Sequence, residues 1–247
     1  MHLDKITVTI DDIEVVKNLS LHIPAGQIHA LMGPNGSGKS SLAYALAGHP
    51  YYRISAGIFI FNNQVMTTVS PENRARAGIF LAHQHPVALP GVSIMNFLTE
   101  TYRALVCSNI SIEQVRPLFI DALAQLGLPA EFLHRAVHDN LSGGEKKRLE
   151  MVQALLFKPS LMILDEIDSG LDIDALALIK NGIQKIRQEN GQTRILIITH
   201  YPRILQYLVP DKIHLIHKGT LLLSGNADLV NHIEKHGYNF QQLREFA

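Results

Sequence analysis

A glycine-rich stretch that ends in a lysine and a serine has the residue types needed to bind a nucleoside triphosphate. The stretch fits the pattern G-x-x-x-x-G-K-[ST] and reads Gly33-Pro34-Asn35-Gly36-Ser37-Gly38-Lys39-Ser40, followed by Ser41. Its glycines allow a tight turn whose backbone N–H groups point at phosphate oxygens. We expect Lys39 to reach the β- and γ-phosphates and the hydroxyl of Ser40 to bind Mg²⁺.

The residues on either side of this loop indicate the elements that hold it in place. The apolar run 28–32 predicts a buried strand before the loop, and residues 41–47 predict a helix after it. A strand, a loop and a helix in this order distinguish a P-loop from a glycine-rich turn that happens to lie beside a surface lysine. The helix would also direct its positive dipole end at the phosphates.

Two acidic residues, Asp165 and Glu166, follow a second apolar run that begins at Leu161. Such a run is typical of a buried parallel strand, and ligands of α/β sheets lie beyond the carboxyl ends of their strands. We expect Asp165 to hold Mg²⁺, directly or through water, and Glu166 to orient or deprotonate an attacking water. Acidic residues also favour helix starts, so it is the upstream P-loop that favours the catalytic interpretation.

A second phosphate-binding device is predicted at Ser142, Gly143 and Gly144, directly before another predicted helix. The glycines expose N–H donors and the serine adds a hydroxyl, although a serine before a helix is also an ordinary cap.

The order of the remaining patterns predicts a mostly parallel α/β sheet with a helical insertion. Residues 3–10 and 13–23 predict one hairpin, and residues 212–217 and 220–224 predict another. The segment after Gln84, which holds Pro86, Pro90 and Gly91, predicts a loop. Residues 93–106 and 112–126, with Ser93 and Ser111 as candidate caps, and residues about 130–135 predict helices, and two further helices are predicted near 226–236 and 239–246. We predict one domain over 1–247. In it, residues 1–92 and 158–247 form the nucleotide-binding core with a β subdomain, and residues 93–157 form a helical subdomain.

The composition argues against some partners and cofactors and indicates a cellular compartment. The 247 residues carry 22 basic and 22 acidic side chains, so no overall positive field would attract nucleic acid. Cys107 is the single cysteine, which favours a reducing compartment and means that this chain alone cannot supply the usual ligands of a metal cluster. We find no signal-peptide pattern and no long apolar run, and we expect a cytoplasmic protein that does not insert into membranes.

These motifs, taken in chain order, resemble the ATP-binding cassette (ABC) ATPases over essentially the whole chain. They are the P-loop, Gln84 after a predicted strand, residues 141–145, Asp165 with Glu166, Asp172 and His200. The resemblance implies a RecA-like core with an antiparallel β subdomain and a helical subdomain. It implies ATP and Mg²⁺ as ligands, and a head-to-tail, ATP-dependent dimer in which each ATP lies between one P-loop and residues 142–144 of the other copy.

The same resemblance implies roles for single residues. Gln84 would bind Mg²⁺ and connect it to the helical subdomain, Asp172 would cross the dimer interface, and His200 would contact the γ-phosphate.

A narrower resemblance joins the run Asp165–Leu176 to the SufC-type ATPases of the SUF iron–sulfur cluster assembly system. Transporter cassettes usually carry proline and then threonine or phenylalanine where this chain has Ile167 and Asp168. The resemblance implies SufB-like and SufD-like scaffold partners, whose conformation ATP would change. The ATPase subunit of an ABC membrane transporter is the alternative. A nucleic-acid or ribosome-associated clamp is less favoured, because we see no long coiled coil or basic segment.

Two further features have two interpretations each. Lys147 could pair with Glu166 and keep hydrolysis low, or it could be a solvated lysine on a polar helix face.

His134 and His138 have a spacing that could bind a metal on a helix, but we expect surface histidines because no acidic partner is near.

Overall fold

The computed structural model describes residues 1–200 and 203–238. Its strands are β1 (His2–Ile10), β2 (Ile13–His22), β3 (Ile28–Met32), β4 (Arg53–Phe61), β5 (Gln64–Val65), β6 (Ile79–Ala82), β7 (Leu89–Ser93), β8 (Ala136–Val137), β9 (Leu161–Asp165), β10 (Arg194–Thr199), β11 (Lys212–His217) and β12 (Thr220–Gly225). Its helices are α1 (Lys39–Ala47), α2 (Pro71–Arg76), α3 (Ile94–Leu105), α4 (Ile112–Gln125), α5 (Gly143–Phe157), α6 (Ile173–Glu189), α7 (Arg203–Tyr207) and α8 (Asp228–His236), with a 3₁₀ helix at Ala130–His134. The helix predicted at 239–246 lies outside the described residues.

The central sheet has six strands in the order β12-β11-β3-β10-β9-β6. All neighbouring pairs are parallel except β11 with β12, which form the predicted hairpin. This confirms the prediction of a mostly parallel α/β sheet. Strands β3 and β9 are buried at every position, because apolar layers cover both faces of the sheet. Their carboxyl ends carry the P-loop and Asp165.

A second sheet is antiparallel, with the order β2-β1-β4-β5. Strands β1 and β2 pair as the predicted hairpin and turn at Asp11 and Asp12, which both have positive φ. The inner face of this sheet packs on α1, since Val8, Phe59 and Leu42 belong to one buried cluster. The antiparallel β subdomain implied by the resemblance is therefore present.

Helices α3, α4 and α5 lie in the segment that the sequence assigns to the helical subdomain. Ser93 caps α3 and Ser111 caps α4 with a capping box, as the sequence predicts. Strands β7 and β8 were not predicted, because Pro90 and Gly91 favour the loop predicted after Gln84 and β8 is only two residues long. The boundaries at residues 92 and 157 stay predictions.

The expectation of two surface histidines is wrong for His138. His134 ends the 3₁₀ helix and is exposed, whereas His138 follows β8 with a φ of 54° and only 6% of it is exposed. Burial lowers the pKa of His138 to about 4. The two side chains therefore do not share a helix, and the spacing that could have bound a metal is not realised.

Arg74 fixes the far end of α1, the helix that begins at the P-loop. Its guanidinium donates to the carbonyl oxygens of Ala45 and Leu46 at 2.5 and 3.0 Å, which are among the last carbonyls of that helix. It also donates to the carbonyl oxygens of Thr67 and Val69, at 3.0 and 2.8 Å. A buried arginine thus donates to four backbone acceptors, of which the carbonyl oxygen of Ala45 also accepts the N–H of Gly48.

Two buried histidines join β3 to β11 beneath the P-loop. Nδ1 of His29 lies 2.9 Å from Nε2 of His214. Nε2 of His29 lies 2.9 Å from Oε1 of Gln27, and Nδ1 of His214 lies 2.7 Å from the hydroxyl of Ser224. One arrangement of protons satisfies all these contacts with both rings neutral. A further proton on His29 would put two N–H groups face to face, and burial already lowers the pKa of His29 to about 4 and that of His214 to about 3.

We therefore expect the free energy of unfolding to decrease as the pH falls below about 6.5, the ordinary histidine pKa. The unfolded chain then takes up protons that the folded histidine pair excludes, so this stability is complete above that pH and is lost towards pH 4. The loss at pH 5 should be about 2–4 kcal/mol. Urea unfolding at pH 7.5 and pH 5 measures it. The double variant His29→Gln with His214→Gln is the control, and an equal loss in that variant would contradict the assignment.

Candidate nucleotide-binding site

The P-loop encloses a cavity of about 250 Å³ that is lined by residues 35–41, Gln84 and Glu166. Gly36 and Gly38 have φ values of 74° and 101°, which favour glycine. A Cβ on Gly38 would lie 2.7 Å from the carbonyl oxygen of Val15 in β2. The glycine is therefore required where the antiparallel sheet packs against the loop, and the sequence places the loop correctly between β3 and α1.

Lys39 is buried at the base of this cavity, with 4% of it exposed. Its Nζ donates to the carbonyl oxygens of Gly33 and Pro34, at 2.8 and 2.9 Å. Burial lowers the pKa of Lys39, while the nearby carboxyl groups of Glu166 and Asp165 raise it. The loop thus holds the ammonium group in place with its own backbone.

Asp165 and Ser40 provide oxygen ligands that suit a small divalent cation. The hydroxyl of Ser40 donates to Oδ1 of Asp165 at 3.1 Å, and Oδ2 is buried without a hydrogen-bond partner among the described residues. Burial raises the pKa of Asp165 to about 6, which the Ser40 hydrogen bond opposes. A carboxylate with a free oxygen beside a hydroxyl fits Mg²⁺, which prefers oxygen ligands.

Glu166 lies at the mouth of the cavity between two polar side chains. Nε2 of Gln84 donates to its Oε2 at 2.5 Å, and Nδ1 of His200 lies 2.8 Å from its Oε1. The residue has a φ of 47°, and its N–H donates to the carbonyl oxygen of Ile198 at 2.8 Å. Three residues predicted from separate motifs are therefore brought together, and their catalytic roles stay predictions.

Helix α5 approaches the same site with a lysine and a glutamate. Lys147 is 4% exposed, so the interpretation as a solvated surface lysine is wrong. Its Nζ donates to the carbonyl oxygens of His83 and Glu166 at 2.8 and 3.4 Å, whereas the Glu166 carboxylate contacts Gln84 and His200. The hypothesis that Lys147 keeps hydrolysis low stays a prediction.

Sequence reasoning missed Glu150, which lies one turn after Lys147 on α5. It is 3% exposed, and its Oε1 accepts the N–H of His83 at 2.7 Å. Burial raises the pKa of Glu150 to about 8, an effect that the His83 N–H and Lys147 oppose. The signal available in the sequence was an acidic residue between Leu149 and Met151, within an apolar stretch of the helix.

Tyr238 is a second residue near the site that sequence reasoning missed. Its hydroxyl donates to the carbonyl oxygen of His200 at 3.3 Å. Burial raises the pKa of Tyr238 to about 12. A residue that follows α8 thus supports the backbone of a predicted catalytic histidine.

The remaining predicted site residues do not line the cavity of their own chain. Ser142 is exposed and caps α5 in a capping box with Glu145, with N–H to oxygen distances of 2.7 and 3.3 Å. Gly143 is also exposed. Asp172 is exposed as well, and its side chain caps α6 by accepting the N–H of Ala175 at 2.7 Å. These groups lie on the surface of the chain.

No helix within residues 1–200 and 203–238 combines the length and the apolar character needed to span a bilayer.

Comparisons with known proteins identify the family of this chain. The family model described as "ABC transporter" matches residues 16–169. The "Probable ATP-dependent transporter SufC" of Escherichia coli is 40% identical, and the alignment covers 94% of this chain and 95% of that protein. The "Iron-sulfur cluster assembly protein SufC" of Plasmodium falciparum is 42% identical, over 94% of this chain and 67% of that protein.

Solved structures share the fold. A dimeric bacterial ABC transporter cassette superposes with a TM-score of 0.80 at 20% identity, covering 91% of this chain and 97% of that one. At this identity the likeness supports the fold alone. The family model covers more than half of this chain, and the sequence relatives align over nearly all of it. The chain therefore belongs to the ABC transporter family.

Proposed function

We propose that this chain is the ATPase subunit of an iron–sulfur cluster assembly complex. It binds ATP with Mg²⁺, hydrolyses it to ADP and phosphate, and thereby changes the conformation of SufB-like and SufD-like scaffold proteins in the cytoplasm. The proposal of ATP hydrolysis is supported by the contact of Glu166 with Gln84 and His200 at the mouth of the P-loop cavity. The names of the two relatives above, and the run 165–176, support the assembly part.

The P-loop binds the phosphates of ATP. Residues 35–41 line the cavity, and their backbone N–H groups bind phosphate oxygens. Lys39 replaces its contacts to Gly33 and Pro34 with contacts to the β- and γ-phosphates. Ser40, Gln84 and Asp165 hold Mg²⁺, which when bound neutralises charge on these phosphates.

Glu166 acts on the water that attacks the γ-phosphorus. Its carboxylate accepts a proton from this water as the new P–O bond forms, and the bond between the γ-phosphorus and the bridging oxygen breaks to release ADP. His200 keeps the carboxylate in position through its Nδ1 contact and presents its other ring nitrogen to the γ-phosphate. Gln84 holds the second carboxylate oxygen.

A second copy of the chain completes the site. Ser142 and Gly143, which are exposed, and Gly144, which is half-buried, lie at the N-terminal end of α5, where a helix favours negative charge. In a head-to-tail dimer they contact the ATP held by the opposite P-loop, and Asp172 lies at the interface. The exposure of Ser142, Gly143 and Asp172 supports this arrangement, because they do not line the cavity of their own chain.

Scaffold proteins would need to bind a surface of this chain that lies close to the nucleotide site. A groove of about 430 Å³ runs between α2, β6, α3 and α5, and its lining includes Phe80, His83, Thr101 and Phe157. Because His83 precedes Gln84, a partner seated in this groove would lie next to the residue that contacts Glu166. This supports docking near Gln84 and residues 91–106.

The ATPase subunit of a membrane transporter is the second candidate. The description of the family model, and the name of the Escherichia coli relative, favour it. It shares all the ATPase chemistry above and differs only in the protein that docks.

We expect two soluble scaffold proteins to copurify with this chain. The experiment is a gentle purification of the tagged chain from its own cells, followed by mass spectrometry, with an untagged strain as the control. A polytopic membrane protein in place of the scaffolds would contradict the assembly function and support the transporter alternative, while leaving the ATPase chemistry intact. A nucleic-acid partner would contradict both.

A further inference from the structure

Both backbone polar groups of His83 are bound by side chains of α5. The N–H of His83 donates to Oε1 of Glu150 at 2.7 Å, and its carbonyl oxygen accepts from Nζ of Lys147 at 2.8 Å. Lys147 and Glu150 are three residues apart and therefore lie on the same face of the helix. Two side chains of one helix thus bind the two peptide groups that flank the His83 Cα.

His83 directly precedes Gln84, whose side-chain amide donates to Glu166. The direction in which Gln84 projects depends on the backbone torsions at His83. Because these torsions are fixed through contacts with α5, the helix that begins at Ser142 also fixes the partner of the proposed catalytic carboxylate. Lys147 adds a contact to the carbonyl oxygen of Glu166 at 3.4 Å.

The burial of Glu150 has a cost that its contact with the His83 N–H and the charge of Lys147 offset. Burying a carboxyl group is unfavourable unless it is hydrogen-bonded, and Oε2 of Glu150 is buried with no hydrogen-bond partner among the described residues. The raised pKa of Glu150, about 8, expresses the same cost. The hydrogen bond to His83 is thus the main role that the structure shows for this side chain.

We propose that Glu150 is a positioning residue for ATP hydrolysis, which fixes the segment that presents Gln84 to Glu166 by accepting the N–H of His83. This inference rests on the proposed ATPase function. In this proposal the oxygen of Glu150 that accepts the N–H of His83 positions the segment, and a negative charge on Glu150 is not required.

The test compares Glu150→Gln with Glu150→Met. The amide oxygen of glutamine can accept the same N–H, whereas methionine has a similar length and no comparable acceptor. We expect kcat of Glu150→Gln to stay within about twofold of the original chain. We expect kcat of Glu150→Met to fall roughly 10- to 100-fold, as for a displaced catalytic group, with KM for ATP nearly unchanged because the P-loop is intact.

A second pair of variants changes the donor and leaves α5 untouched. His83→Pro removes the N–H, and His83→Phe keeps both the N–H and an aromatic ring that can stack on Tyr44, whose ring centroid lies 5.8 Å from that of His83. We expect His83→Pro to lose activity and His83→Phe to keep it. This pair can still overturn the proposal if Glu150→Met does not fold, because full activity in His83→Pro would show that the N–H is not needed.

Amide hydrogen exchange across residues 79–88, measured without nucleotide, gives a readout that does not depend on hydrolysis. The His83 amide should exchange faster in Glu150→Met and at the original rate in Glu150→Gln. Full activity in Glu150→Met or in His83→Pro would overturn the proposal. Equal losses in Glu150→Gln and Glu150→Met would overturn it as well. If the original chain hydrolyses no ATP, the proposed function is wrong. An unchanged exchange rate of the His83 amide in Glu150→Met would separately contradict the hydrogen bond between Glu150 and His83.

Discussion

Replacing Glu166 by glutamine is expected to lower the rate of ATP hydrolysis roughly 10²- to 10⁴-fold, the usual contribution of a general base. ATP binding should survive, because the P-loop, Lys39 and Ser40 are unchanged. The amide keeps the size of the carboxyl group and its contact position between Gln84 and His200, but it cannot accept a proton from water. Bound ATP should then hold two copies together in the closed dimer.

The measurements are single-turnover hydrolysis and the molecular mass in solution with and without Mg²⁺-ATP. Glu113→Gln is a matched control, since Glu113 is an exposed residue in the first turn of α4. It should hydrolyse ATP normally and should not remain dimeric after turnover. Normal turnover in Glu166→Gln would refute the role assigned to this carboxylate.

The second large effect is expected from Lys39→Ala, which should abolish turnover and weaken ATP binding at least about 100-fold. A hydrogen bond to a charged group contributes about 1.5–3 kcal/mol, and Lys39 is expected to contact two phosphates. The substitution also leaves the carbonyl oxygens of Gly33 and Pro34 without their donor, so the loop loses the group that organises it.

Equilibrium binding of a fluorescent ATP analogue measures this loss directly. Lys185→Ala is a suitable control, because Lys185 lies on the surface of α6 in a 3.9 Å ion pair with Glu189, and exposed pairs contribute little. Lys185→Ala should bind ATP normally. Unchanged ATP affinity in Lys39→Ala would mean that nucleotide binds elsewhere on the chain.

Local sequence patterns predicted the elements of this fold well. The P-loop, the caps at Ser93 and Ser111, and the buried strand that ends at Asp165 each depend on residues that are close in sequence. Apolar runs, cap residues and the glycines of a tight turn act over a few positions, so their effect can be read from the chain. Glu166 was predicted from an acidic pair at a strand end, and Gln84 and His200 were predicted from the resemblance. The structure brings these three together.

The contacts that were missed join residues far apart in the chain. His83 and Glu150 are 67 positions apart, and no local pattern shows that an acid on α5 accepts a backbone N–H near β6. The burial of His138 and of Lys147 likewise follows from how the helical segment packs on the core. Residue type predicts an exposed position for both, and tertiary packing overrides it.

The four hydrogen bonds of Arg74 have a consequence for local unfolding. The end of α1 and residues 67–69 share one guanidinium, so neither can open without exposing acceptors of the other. We infer that the two segments form one cooperative unit that opens and closes together, and whose stability exceeds that of a surface loop. The nucleotide loop, which begins the same helix, is in this way anchored to residues 67–69, which do not line its own cavity.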